Sequence, residues 1–244
     1  MLVENPVLIC AAIVVVAFLY SSVGHAGASG YIAVMTLFEL TPPVVKPAAL
    51  VLNILVACIA TWQFWKAGHF SWGLFWPFAI SSVPFAFLGG YLNLPTQVFK
   101  IVIGLVLLYS AARFLITPKP DEEPHSPSKP VSISMGAGLG LLSGLTGVGG
   151  GIFLTPLVIF MRWARTKTAS AVSALFILVN STAGLLGDIT GTRQLPFFAL
   201  PLTLCAVVGG SVGAHFGSRR FSPLIIKRLL GVVLIVAGLK LIFA

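Results

Sequence analysis

Apolar residues run along this chain in long blocks that polar residues only interrupt. No Lys, Arg, Asp or Glu occurs in residues 5–38, 47–65, 67–99, 130–161, 168–187 or 194–218. A helix needs about 20 largely apolar residues to cross the hydrocarbon core of a bilayer, so each block holds one or two membrane segments. The blocks divide into ten pieces, near 6–22, 28–40, 44–65, 71–93 and 97–116, then 131–146, 149–162, 167–188, 195–216 and 223–243. The pattern predicts an all-α, polytopic helical membrane protein of eight to ten membrane helices, some of them broken or re-entrant.

One segment differs from the rest. Thr117–Pro130 carries five prolines and five charged residues, which reads as an exposed linker. It separates a first membrane repeat, residues 1–116, from a second, residues 131–244. Sliding the second against the first by 121 positions aligns Gly30 with Gly151, Lys46 with Lys167, Ala48 with Ala169, Val51 with Val172 and Thr61 with Thr182. Further on, Gly89-Gly90 matches Gly209-Gly210, and a short insertion in the Gly213–Pro223 loop brings Lys100 onto Lys227 and Gly104 onto Gly231. The halves therefore read as a diverged internal repeat.

The first two pieces of each half are short. They are either two cramped spans or a re-entrant pair of half-helices, and both readings return the chain to the side it started from. Three spans follow, so each half crosses an odd number of times and the second is inverted relative to the first. Under this scheme one side holds Lys66, Arg113, Lys119, Lys129, Arg162, Arg165, Lys167, Arg219, Arg220, Lys227 and Arg228, and the other holds Lys46, Lys100, Arg193 and Lys240. An eleven-to-four split satisfies the positive-inside rule better than the nine-to-six split of a single-crossing scheme. The expectation is a multi-pass protein of the cell (inner) membrane with both termini outside, a cytoplasmic linker, and halves that rock against each other about it.

Composition narrows the function. The chain is 57% hydrophobic and 9% charged, where soluble domains carry about 25% charged residues. Its net charge of +9 comes from residues scattered between apolar runs, not from a basic face with interleaved aromatics, so nucleic acid is not an expected partner. Cys10, Cys58 and Cys205 each sit alone in apolar sequence and read as small core residues, with no disulfide framework or metal site. The first segment lacks a positive n-region and is expected to be retained. No metallopeptidase motif, carboxylate pair or nucleophile–histidine spacing appears in the spans, so no enzyme and no cofactor is expected.

Two joints carry the candidate chemistry. Between the short pieces the first half reads Gly24-His25-Ala26-Gly27-Ala28-Ser29-Gly30, and the second reads Thr146-Gly147-Val148-Gly149-Gly150-Gly151. Each glycine costs about 1 kcal/mol against alanine inside a helix, so breaks are predicted there. A break at membrane depth needs partners for its amide hydrogens, and a helix starting at Ser29 or Gly150 aims its positive end at the same place; an anion satisfies both. The competing reading is close helix packing, which suits Gly136, Gly140 and Gly144 and also Gly209, Gly213 and Gly217. Beyond the joints, the central spans carry Asn53, Thr61 and Gln63 in one half and Ser170, Ser173, Asn180, Ser181 and Thr182 in the other. Each is satisfied either by a neighbouring helix or by a substrate. Asn53, Ser170 and above all the dense Asn180-Ser181-Thr182 group are expected to line the path. Lys46 and Lys167 open matching helices and read either as interfacial snorkels or as positive gates on opposite faces. His25 is either structural or a proton relay. Asp188 and Arg193 are expected at the surface of a turn.

The run Leu145-Thr-Gly-Val-Gly-Gly-Gly-Ile-Phe-Leu-Thr-Pro-Leu157, with Lys167-Thr-Ala-Ser-Ala171 and Asn180-Ser-Thr-Ala-Gly184, resembles the TauE/SafE family of sulfite exporters, over nearly the whole chain. The second half matches well; in the first, His25 and Ala26 stand where glycine and small apolar residues are typical, and Pro47 follows Lys46. The resemblance implies a secondary transporter for sulfite, an organosulfonate or a related anion. The alternatives are a passive anion channel and a non-transporting assembly factor. The expected partners are the small anionic substrate, the lipid bilayer, a coupling proton or ion, and a second copy of the chain in a homodimer.

Overall fold

The computed structural model describes residues 6–40, 42–92, 97–116, 121–192 and 200–243. Among these the regular elements are ten α-helices: α1 Pro6–Ser22, α2 Ala28–Leu37, α3 Pro42–Lys66, α4 Trp72–Tyr91, α5 Gln97–Ile116, α6 Lys129–Thr146, α7 Gly151–Phe160, α8 Thr166–Thr192, α9 Leu200–His215 and α10 Pro223–Phe243. A π-helical turn, Phe216–Arg220, follows α9. The ten pieces expected from the apolar pattern each become a helix. Val44–Lys66, Trp72–Tyr91 and Thr166–Thr192 are long and apolar enough to cross a membrane. By contrast α2 and α7 have 10 residues each. At 1.5 Å per residue they rise about 15 Å, half the hydrocarbon thickness, so they are half-helices. The chain is a polytopic helical membrane protein.

Glycines set how the helices meet. On α6, a Cβ at Gly136, Gly140 or Gly144 would collide with the α4 backbone at Phe78, Ser82 and Ala86 respectively. On α9 and the turn after it, Gly209, Gly213 and Gly217 do the same against Val14, Phe18 and Ser22 of α1. Both numbers rise together in each set, so α6 runs parallel to α4 and α9 parallel to α1. Small residues are what allow backbones to approach this closely where lipid supplies no hydrophobic drive. In contrast, Gly104 meets Gly238 and Gly231 meets Ala111, so α5 and α10 are antiparallel. Each half thus lends its first helix to the other half's fourth, and the halves are interlaced instead of standing side by side.

Helices α3 and α8 form the centre. Lys46 at the start of α3 reaches Asp188 near the end of α8, while His69, after α3, and Lys167, at the start of α8, share the Ser218 carbonyl. The two central helices therefore run antiparallel. Lys167 and Asp188 are 21 residues apart on α8, about 31 Å along its axis, close to the thickness of the hydrocarbon core.

One expectation is corrected by the cysteines. Cys10 and Cys205 are joined in a disulfide between α1 and α9, with Cα atoms 5.7 Å apart; only Cys58 is free. Their separation of 195 residues hid the pairing, because nothing local in the chain marks α1 and α9 as neighbours. The linker, described from Asp121 onward, is exposed over most of its length and anchored at its start. Asp121 accepts hydrogen bonds from the Thr166 amide at 2.9 Å, the Thr166 hydroxyl at 2.6 Å and Lys227 Nζ at 2.7 Å, and Glu122 pairs with Arg162 at 2.6 Å. Lys129 and Pro130 already belong to α6. Four tryptophans, Trp62, Trp65, Trp72 and Trp76, are exposed around the α3–α4 turn at this same end of the bundle, as side chains are at a membrane–water boundary.

Candidate functional site

Both glycine joints are breaks. In the first, Gly24 and Gly27 have φ of +79° and +108°; in the second, Gly147, Gly149 and Gly150 have φ of +72°, +78° and +76°. Gly27 and Gly150 are the residues from which α2 and α7 start, and neither has a side chain to cap the amides that follow. The first amides of a helix lack the usual partner one turn back; at α7 those of Phe153 and Leu154 close on the Gly150 carbonyl. At α2 the structure supplies one from elsewhere: Ala28 N–H donates to Asn53 Oδ1 at 3.0 Å.

Asn53 is the link between the joints. It is fully buried near the middle of α3. Its amide nitrogen donates to Ser181 Oγ on α8 at 3.0 Å and lies 3.5 Å from the Val148 carbonyl in the second joint. One side chain thus holds the start of α2, the bend before α7 and the middle of α8. A second bridge runs from His25 Nε2 to Thr155 Oγ1 on α7 at 2.7 Å, and Thr155 passes its proton to Ser173 Oγ on α8 at 2.7 Å. Tyr20 OH is 2.8 Å from Ser29 Oγ, and Tyr31 OH closes the first joint by donating to the Ala26 carbonyl at 2.6 Å. Between these groups lies a cavity lined by Tyr20, His25, Ser29, Val148, Ile152 and Ile177, among others, with room for about one water.

The structure sorts the residues expected from sequence by where it places them. Gly24, His25, Gly27, Ser29, Asn53, Gly147, Gly149, Gly150, Ser170 and Ser181 are buried at the joints or against them; Ser170 packs on Gly24, and Gly149 on Asn53 and Ser181. Gly30 and Gly151 lie inside their helices, against Tyr20 and Ile177, and serve packing. Thr146 and Thr182 point elsewhere: their hydroxyls return to the Leu142 and Leu178 carbonyls of their own helices, and Thr182 is exposed. Asn180 is buried and donates to the Phe176 carbonyl, leaving its Oδ1 unpartnered. His25 Nδ1, Ser143 Oγ and Ser170 Oγ are also buried without a hydrogen-bond partner. Thr61 Oγ1 on α3 is a further such atom, and each unpartnered polar atom in a dry interior costs about 1–3 kcal/mol of stability.

Lys46 and Lys167 lie at opposite ends of the central helices. Lys46 bonds the Gly90 carbonyl at the end of α4, and Lys167 bonds Ser218 in the turn after α9. Their surroundings differ in one respect. Lys46 also pairs with Asp188 at 3.2 Å, and Asp188 is buried within α8, not on the surface of a turn; Arg193 lies outside the described residues. The Lys46 stem lies along Gly147, where a Cβ would stand 3.0 Å from Lys46 Cγ, so this lysine borders the second joint.

Sequence reasoning missed Tyr20, Tyr31 and Thr155. Thr155 had a usable signal, being the one polar side chain within the otherwise apolar ten-residue α7. The tyrosines had none, since their partners are reached only through the fold.

The family described as sulfite exporter TauE/SafE matches residues 9–241. The chain belongs to this family. It is accordingly a membrane transporter and not an enzyme. Among TauE/SafE relatives, it is 42% identical to the probable membrane transporter protein y4hK of Sinorhizobium fredii, a match covering 94% of this chain and 95% of the relative. It is 26% identical to the probable membrane transporter protein YunE of Bacillus subtilis, over 84% and 82% of the two chains, and 25% identical to YjnA of the same organism, over 90% and 92%. No solved structure matches the chain. In this TauE/SafE protein both glycine joints and both matched lysines fall inside the family match.

Proposed function

We propose that the chain is a secondary transporter of the cell (inner) membrane for a small anion such as sulfite or an organosulfonate, held between the two joints at mid-bilayer. The observation that carries this reading is the meeting of two helix breaks at one small cavity, lined by the start of α2 and, from the second joint, by Val148 and Ile152. An anion there gains amide donors and two helix dipoles in a medium where charge is poorly screened. The antiparallel α3–α8 core supports an inverted pair of halves, which places Lys46 and Lys167 on opposite faces as attractors for an anion from either side. The gathering of Arg162, Lys167, Arg219, Arg220 and Lys227 at the linker end supports a cytoplasmic linker and outward termini.

The cavity is too small for sulfite, so the joints must part for the anion to enter. Alternating access then follows from which end opens, with the central contacts of Asn53 and His25 broken and remade in each cycle.

Purified protein in liposomes is expected to take up labelled sulfite or a small sulfonate, and unlabelled substrate on the far side should accelerate uptake, which a channel would not show. Leucine at Gly149 or Gly150 is not a clean probe, because both residues have positive φ and their neighbours leave no room. Asn53→Asp keeps the acceptor for Ala28 and adds a negative charge at the cavity. Uptake by that variant equal to the parent's would remove the assignment of the site.

A further inference from the structure

His25 is buried at 2% exposure in the cavity wall, and its two ring nitrogens are in different situations. Thr155 donates its only hydroxyl proton to Ser173, so toward His25 it acts as an acceptor. The neutral imidazole must therefore carry its hydrogen on Nε2 and its lone pair on Nδ1. That Nδ1 is buried and has no hydrogen-bond partner. The Thr155–Ser173 chain thus fixes the tautomer that leaves Nδ1 an unprotonated base without a hydrogen-bond partner, on a residue that lines the cavity.

We infer that His25 Nδ1 is the site where a proton binds together with the transported anion, so that the two cross the membrane as a neutral pair. The inference rests on the transport reading above. Its physical reason is the cost of isolated charge: several kcal/mol for an anion or an imidazolium alone in a dry interior, and far less for the two in contact. On binding, Nδ1 takes a proton from the aqueous side, and the resulting N–H donates to the anion while Nε2–H keeps its bond to Thr155. On release, anion and proton leave to the other side and the starting tautomer returns.

The groups facing His25 fit this role. From α1 comes Tyr20 and from α2 Tyr31, both engaged through their hydroxyls; α7 and α8 present Thr155 and Ser173. No described Asp, Glu, Lys or Arg lines the cavity, so His25 is the side chain in its lining that can gain a positive charge. Residues 23–27 are also where the half-helix begins, so a charge arriving at His25 acts on the joint that must move.

The experiment uses the full chain in liposomes that enclose a pH-sensitive dye, with an imposed gradient of methanesulfonate, a monoanion that does not itself titrate near neutral pH. Anion flux in the parent is expected to carry protons with it, and an opposite pH gradient should slow it several-fold. His25→Gln keeps an amide donor for Thr155, and His25→Asn places an amide near Nδ1; neither titrates. Each variant, shown to be folded by an unfolding midpoint near the parent's, should move less labelled anion than the parent, and the dye response per anion should fall to background in whatever flux remains. Dye response per anion unchanged in an exchanging variant overturns the inference while leaving the transport reading intact. Parent-level uptake in a folded variant, or no anion-linked dye response in the parent, also overturns it. Absence of any anion flux in the parent overturns both readings.

Discussion

Lys46 Nζ lies 3.2 Å from Asp188 Oδ1, joining the start of the first half's long central helix to the far end of its counterpart. Asp188 is 6% exposed and Lys46 20%, so the pair is neither a surface contact nor fully dry. Asp188→Asn should therefore lower thermal stability by an amount between the ~1 kcal/mol of an exposed pair and the ~3–5 kcal/mol of a buried one. It should also leave Lys46 uncompensated at the mouth of the second joint. Uptake from that side should then rise at low salt and fall back toward the parent value at high salt, measured as initial rate against ionic strength.

Asn53→Ala removes the bonds to Ala28 and Ser181 and the contact with Val148. With each such bond worth about 1 kcal/mol net, and a buried amide left bare at α2, a loss of roughly 2–3 kcal/mol is expected in thermal unfolding. Ser181→Ala, which deletes one of the contacts, should cost less than half as much.

Two glycines on α6 make an internal comparison. A Cβ at Gly138 meets nothing within 4 Å, whereas one at Gly140 strikes the Ser82 backbone. Gly138→Ala should be neutral or stabilising by up to ~1 kcal/mol from helix propensity, and Gly140→Ala should destabilise by ~1–3 kcal/mol through overpacking. Equal unfolding midpoints for the two variants would contradict the α4–α6 register described.

Burial raises the Asp121 carboxyl, but hydrogen bonds from Lys227 and Thr166 outweigh it and hold the group below the ordinary aspartate value. A depressed folded value means that the contribution is fully present above the unfolded value and is lost as pH falls through the folded one. Melting temperature should thus drop between about pH 5 and about pH 2 in the parent, and Asp121→Asn should be less stable at neutral pH, with a shallower drop. Parallel curves for the two proteins would remove Asp121 from this role.

Thiol labelling of the denatured protein tests the α1–α9 link. One cysteine, Cys58, should react before reduction and all three after it. Three reactive thiols in protein purified without reductant would show that Cys10 and Cys205 are unpaired.

Much of the fold was legible because lipid imposes simple rules. Long apolar blocks became helices within a few residues of the expected limits, and the dense glycines at 24–30 and 146–151 marked the breaks, since few other residues tolerate those backbone angles. The four-residue glycine spacing on α6 and α9 likewise named the packing faces. What stayed hidden depends on which helices touch. Asp188 looked like a turn residue because Lys46 lies 142 positions away in the chain, and Thr155 looked like an apolar helix's stray hydroxyl until His25 was set beside it. Thr182 shows the converse. Its neighbours Asn180 and Ser181 face inward, and one further step of 100° around the helix carries it out to the exposed side.

Because α1 lies along α9 and α6 along α4, neither half of the polypeptide possesses a closed set of neighbours for its own opening helix. Cutting the connector between Glu122 and Ser128 should leave two fragments that remain clasped. Each fragment made by itself would present a glycine-seamed groove whose natural occupant is the other, so co-expressed halves should reassemble where either one alone would fail to accumulate.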